Sequence, residues 1–187
     1  QLQAIDPDVL SSDNEKIAFW LNIYHVLILH SYVERGAPAS SRLLAKMLNT
    51  SCYNIGGNTF TANEIEHAIL RAPLPLPKST GSLPGGRVVR FSNKDPRIKF
   101  AVNKANPLLS FALNCGSRSC PDIAMYGGQT LGGALRRAAA RYLNKTISIR
   151  REKNAVVVSV PKLVVWYWRD FGEDKLSVLE QIVPFLS

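Results

Sequence analysis

The sequence predicts an α+β domain, mostly helical, with a small and largely antiparallel sheet built from two hairpins and one interior strand. Three observations carry that expectation. Residues 13–34 repeat apolar side chains at helical spacing (Ile17, Trp20, Leu21, Tyr24, Leu27, Ile28). Two turn signals, Gly56-Gly57-Asn58 and Lys153-Asn154, each join short strand-like runs. Helices and strands do not alternate in the βαβ order of a parallel sheet. The 187 residues suffice for one domain, 1–187, with a core that needs no covalent staple.

The elements follow in order. Ser12 or Asp13 can cap the first helix, and Gly36 with Pro38 stops it. Residues 40–48 form a second, shorter helix. The first hairpin pairs 52–55 with 59–61. Thr61-Ala62-Asn63-Glu64 is then a capping box opening a helix that carries His67 and ends near Arg71. Residues 73–97 hold Pro73, Pro75, Pro77, Pro84 and Pro96 with Gly81, Gly85 and Gly86, an irregular insertion that reads as a connector or as a lid. A short helix over 95–103 precedes an interior strand over 108–114. Residues 129–143 form a helix with Leu131, Leu135, Ala138 and Tyr142 inward and Arg136, Arg137 and Arg141 outward. The second hairpin joins 146–150 to 155–160. Pro161 opens an aromatic helix, 162–171, and a closing helix covers 173–186, with Pro184 near its end.

Composition bounds the function classes. An apolar fraction of 46% with 20% charged residues is ordinary for a globular protein. No apolar run reaches the roughly 20 residues of a membrane span. Three cysteines, an odd number, argue against a disulfide framework and point to a reducing, cytoplasmic setting, although Asn49-Thr50-Ser51 and Asn144-Lys145-Thr146 are glycosylation sequons. The opening Gln1-Leu2-Gln3 is neither an initiator start nor a signal peptide, so the expectation is a domain excised from a longer protein, with neighbouring domains as partners. A net charge of +9 implies attraction to something acidic. Arg136, Arg137 and Arg141, with Arg150, Arg151 and Lys153, are the clearest basic cluster, fit for a membrane surface, nucleic acid or an anionic substrate.

The chemistry-bearing stretch is Phe-Ala-Leu-Asn-Cys-Gly-Ser-Arg-Ser-Cys-Pro, residues 111–121. Pro121 at a first helical position would make Cys120 an N-cap, where the helix dipole lowers a thiol pKa. Cys115 reads as the end of a core strand, so which of the two thiols reacts stays open, and Cys52 is assigned no role. A thiol nucleophile needs a base and a group that orients it. His67 is the candidate base, with Glu64 one helical turn earlier on the same stripe and Glu66 about 100° away. Asn22, a polar break in an apolar helix, could orient His67, donate to an oxyanion, or tie helix to sheet. Gly116, Ser117, Arg118 and Ser119 are the candidate substrate-binding residues. Cys115, Cys120, His67 and Glu64 would make only a loosely spaced zinc set with no second cysteine pair, so neither metal nor other cofactor is expected.

These blocks, together with residues 18–25 (Ala-Phe-Trp-Leu-Asn-Ile-Tyr-His), 63–71 (Asn-Glu-Ile-Glu-His-Ala-Ile-Leu-Arg) and 161–172 (Pro-Lys-Leu-Val-Val-Trp-Tyr-Trp-Arg-Asp-Phe-Gly), resemble the domain of unknown function 547 family. The resemblance implies a shared pattern of Trp20 and Asn22, Ile65-Glu66-His67 and the double-cysteine loop, without a settled activity. Many relatives have Asn at the position of His25, and many plant relatives have serine at that of Cys120. By analogy, a histidine preceding the cysteine would also suit a permuted papain-like arrangement. Two functions follow as expectations. One is a cysteine-dependent acyl-transfer enzyme (hydrolase, amidase or transferase) with a Cys120–His67 dyad. The other is a non-catalytic basic scaffold or binding module.

Overall fold

Ser12 opens the long helix α1, Asp13–Arg35, through a capping box in which its hydroxyl meets the Glu15 amide and the Glu15 carboxylate returns to the Ser12 amide. A computed structural model describes residues 1–75, 89–104 and 106–186 of the chain. Residues 76–88 of the Pro/Gly-rich insertion therefore lie outside the described residues, as do 105 and 187. Helix α1 ends at Gly36, whose φ of +76° suits a residue without a Cβ.

Around α1 lie α2 (Ser41–Thr50), the hairpin β1 (Cys52–Ile55) and β2 (Asn58–Thr61), and α3 (Ala62–Glu64). Thr61 and Glu64 form the expected capping box of α3. The helix then widens into a π-helical stretch, Ile65–Leu70, and the Arg71 amide donates to the Glu66 carbonyl five residues back. Trp20, Tyr24, Phe60, Ile65 and Ile69 are fully buried in this first apolar cluster, each contributing about 1.5–3 kcal/mol by leaving water.

A second cluster gathers α4 (Leu131–Thr146), α5 (Lys162–Trp166) and α6 (Lys175–Ile182) around Phe111, which stacks on Phe171 with centroids 5.1 Å apart. On α4, Leu131, Leu135, Ala138 and Tyr142 are buried while Arg136, Arg137 and Arg141 face solvent, as their spacing predicts. The second hairpin, β3 (Ser148–Glu152) with β4 (Ala155–Ser159), stands exposed. Among the described residues the two hairpins form separate two-stranded antiparallel sheets, and the fold is mostly helical α+β.

Two expectations are corrected. The apolar run over 108–114 is not an interior strand: Asn106 accepts from the Leu108 amide and Pro107 starts a 3-10 turn, Pro107–Phe111. A run buried on every side has no periodicity to separate strand from helical turn. Likewise Cys120 caps no helix, because residues 121–127 run irregularly to the next 3-10 turn, Gly128–Thr130. The turn over 107–111 sits between the two clusters: Leu109 and the cap residue Ala112 enter one and Phe111 the other. This junction carries the cysteine loop.

Candidate functional site

Asn114 shapes the loop from both ends: its Oδ1 accepts from the Gly116 amide at 2.7 Å and its Nδ2 donates to the Pro121 carbonyl at 2.6 Å. The Tyr32 hydroxyl donates to the Gly116 carbonyl, and the Tyr142 hydroxyl to the Ser119 carbonyl. Gly116 lies at φ +89°, and a Cβ there would collide with the Tyr32 hydroxyl, so two reasons demand glycine. The Cys120 amide closes the turn onto the Ser117 carbonyl.

The result is a thiol pair. Cys115 and Cys120 place their sulfurs 3.3 Å apart, Cys115 buried and Cys120 half-buried. The Cys115 thiol hydrogen bond pulls the Cys120 pKa below the usual thiol range, helped by the backbone amides of Cys115 and Ser117. Cys115 is pushed well up by that same bond and by burial. Thiolate stabilisation at Cys120 thus comes from loop amides and a neighbouring thiol in place of a helix dipole.

Below the thiols sits Glu66. It accepts from the Tyr24 hydroxyl at 2.8 Å and the Tyr167 hydroxyl at 3.0 Å, and it lines one cavity with Ser110, Cys115, Ser117, Ser119 and Cys120. His67 Nε2 lies 3.7 Å from Glu66 Oε1, and burial lowers the pKa of the ring. Glu64 does not face His67: its Oε2 serves the Thr61 cap and its Oε1 pairs with Arg97 at 2.9 Å. Glu66 lies inside because every residue of Ile65–Leu70 is buried, so the stretch has no solvent face by which a helical wheel could sort its polar residues. Among the described residues, His67 lines neither of the cavities that Cys120 lines.

The second of those cavities opens on the outer side. Arg118, Arg141 and Lys145 line it with Ser119, Cys120 and Tyr142, and among the described residues Asp122 supplies its carboxylate, 3.8 Å from Lys145 Nζ. Cys120 therefore stands at a border, with a buried carboxylate on one side and cations on the other.

Other singled-out residues have structural partners. Asn22 holds the backbone of Tyr126 in both directions, donating to its carbonyl at 2.8 Å and accepting from its amide at 3.0 Å. Its amide is engaged there. Beneath the cavity, Arg71 pairs with Asp170 at 2.7 Å, the two side chains each 1% exposed, while the Ser110 hydroxyl donates to Asp170 and the guanidinium lies over the Tyr167 ring. Buried charges at 71 and 170 have no periodic signature, so sequence reasoning missed the pair, together with Tyr24, Tyr167 and Lys145. Among the described residues no group of three or more His, Cys, Asp or Glu could hold a metal ion, and no helix is long and apolar enough to cross a membrane.

His25 leads to a pH prediction. Its Nε2 lies 3.1 Å from the Ala112 carbonyl and 3.3 Å from the Asn114 amide. Burial lowers its pKa from 6.5 to about 4. The unfolded chain takes up the proton first as pH falls, so the contribution of His25 to stability drops between 6.5 and about 4 and is constant below. The expected loss is on the order of 3 kcal/mol. Urea unfolding at both ends of the window checks this, with His25→Asn as comparison because His67 titrates in the same sense. An unchanged pH slope in that variant would refute it.

A helical α+β domain with a loop-borne thiol pair over a buried carboxylate is the class that fold and site define. The chain belongs to the family described as protein of unknown function, DUF547, whose model matches residues 7–143. That match runs from α1 into α4, takes in Glu66, His67, Cys115 and Cys120, and ends before 161–172. No curated protein matches the chain. No solved structure matches it either.

Proposed function

We propose that this domain is a cysteine-dependent acyl-transfer enzyme, a hydrolase, amidase or transferase, acting on substrates that carry an anionic group. The observation that supports it is the position of Cys120, a thiol biased toward thiolate at the border between a carboxylate-lined and a cation-lined cavity. The Cys120 thiolate attacks the acyl carbon, forming a thioester as the leaving group departs with a proton. Glu66, with His67 behind it, takes the Cys120 proton as the thiolate forms, passes it to the leaving group, and later takes one from the acceptor water, amine or alcohol and returns it to the released Cys120 sulfur. Arg118 and the Ser119 hydroxyl receive the developing oxyanion. Arg141 and Lys145 hold the anionic group of the substrate. The part first expected of a Cys120–His67 dyad passes to Glu66, because the carboxylate shares the cavity with the thiol.

Exposed Cys52 is an internal control. Iodoacetamide is neutral and iodoacetate carries a carboxylate. The iodoacetate-to-iodoacetamide rate ratio is expected to be about fivefold higher at Cys120 than at Cys52, the equivalent of roughly 1 kcal/mol of charge attraction. Arg141→Ala should lower it. The iodoacetamide rate at Cys120 should also inflect at a lower pH than at Cys52. Equal ratios and equal inflections would sink the enzymatic reading and leave a basic binding module with Arg136 and Arg137 exposed.

A further inference from the structure

We propose that Cys115 and Cys120 are a reversible redox pair, in which peroxide oxidises Cys120 and Cys115 resolves the product into an intrachain disulfide. The sulfurs already lie 3.3 Å apart with no other residue's atoms needed to bring them together. Closing to a bond of about 2.05 Å takes a little over an ångström of approach. The two thiols are unequal in the way such a pair requires. Cys120 is half-buried and borders both cavities, so a small oxidant reaches it, while Cys115 is 7% exposed and lies beneath it. The short Gly116–Ser119 link carries its strain at a glycine with φ +89°, the residue type that best absorbs a further backbone shift.

The chemistry balances with hydrogen peroxide as the named oxidant. The Cys120 thiolate attacks one peroxide oxygen; the S–O bond forms, the O–O bond breaks, and hydroxide leaves with the electron pair. Cys115 sulfur then attacks the sulfenic sulfur; the S–S bond forms, the S–O bond breaks, and the departing hydroxide takes the Cys115 proton as water. Two thiols and one peroxide give one disulfide and two waters, and a dithiol reverses it. Oxidation would remove the nucleophile proposed above. The pair itself does not rest on acyl transfer, since it needs only the two sulfurs and their access.

The whole chain with Cys52→Ser is treated with hydrogen peroxide, blocked and weighed intact. The expected product is about 2 Da lighter than the reduced chain and regains its mass with dithiothreitol. Because Arg118 lies between the cysteines, trypsin should leave two peptides joined only through sulfur and separable by reductant. In Cys115→Ser the same treatment should leave Cys120 as a sulfenic acid that dimedone traps. A gain of about 32 Da at Cys120 with Cys115 still free would overturn the proposal. So would disulfides between chains, or two thiols that remain reduced. Fast alkylation of Cys120 without cross-linking would defeat the redox pair alone, and cross-linking with ordinary alkylation would defeat the enzymatic reading alone.

Discussion

Replacing Asp170 by Ala is expected to cost about 3–5 kcal/mol of folding stability, measured by urea unfolding. Arg71 is 1% exposed, and Asp170 meets its guanidinium at 2.7 and 3.1 Å. The Ser110 hydroxyl, which also contacts Arg71, would lose its acceptor. Among the described residues, removing the carboxylate leaves the buried guanidinium with the Ser110 hydroxyl and the face of Tyr167. The double variant Arg71→Met, Asp170→Leu removes both charges and should recover much of the loss, because most of the single-variant cost is an unpaired buried charge. A single variant that loses less than about 1 kcal/mol would mean the guanidinium finds water, contradicting its burial.

The second large effect concerns Glu66. With Cys52→Ser as the background, steady-state turnover of p-nitrophenyl acetate should fall about 10²–10⁴-fold in Glu66→Gln, because the carboxylate takes the proton of the water that cleaves the thioester. Alkylation of Cys120 should move the other way. The Glu66 charge raises the pKa of both cysteines, so its neutralisation favours the thiolate and shifts the iodoacetamide profile to lower pH. A purely structural part, holding Tyr24 and Tyr167 in place, would depress both readouts together. Only an acid–base group separates them.

The cysteine loop shows how far local reasoning reaches. Its residue types suggest an activated thiol, yet the reason suggested, a helix start at Pro121, is not the physical one. Asn114, Tyr32 and Tyr142 from three places in the chain fix the loop so that amides and the Cys115 thiol face the Cys120 sulfur. Such convergence is set by packing and has no spacing in the sequence to announce it. Glu64 and Glu66 make the same point at smaller scale. The capping box at Thr61 was readable, and it correctly accounts for Glu64. The burial of the whole π-helical stretch immediately after it was not, since a polar Glu66-His67 pair inside it leaves no apolar stripe to read.

What the sequence determined alone was everything governed by short range: the extent and capping of α1, the glycine turn of the first hairpin, and the inward and outward faces of α4. Each depends on residues a few positions apart, whose energies act before the chain has folded. Tertiary structure alone decided that two sulfurs meet, that Glu66 lies beneath them between two tyrosines, and that Arg71 finds Asp170. Those contacts join segments 42 to 101 residues apart, or turn on the exact set of a loop held from outside. They exist only once two apolar clusters have closed on the turn between them.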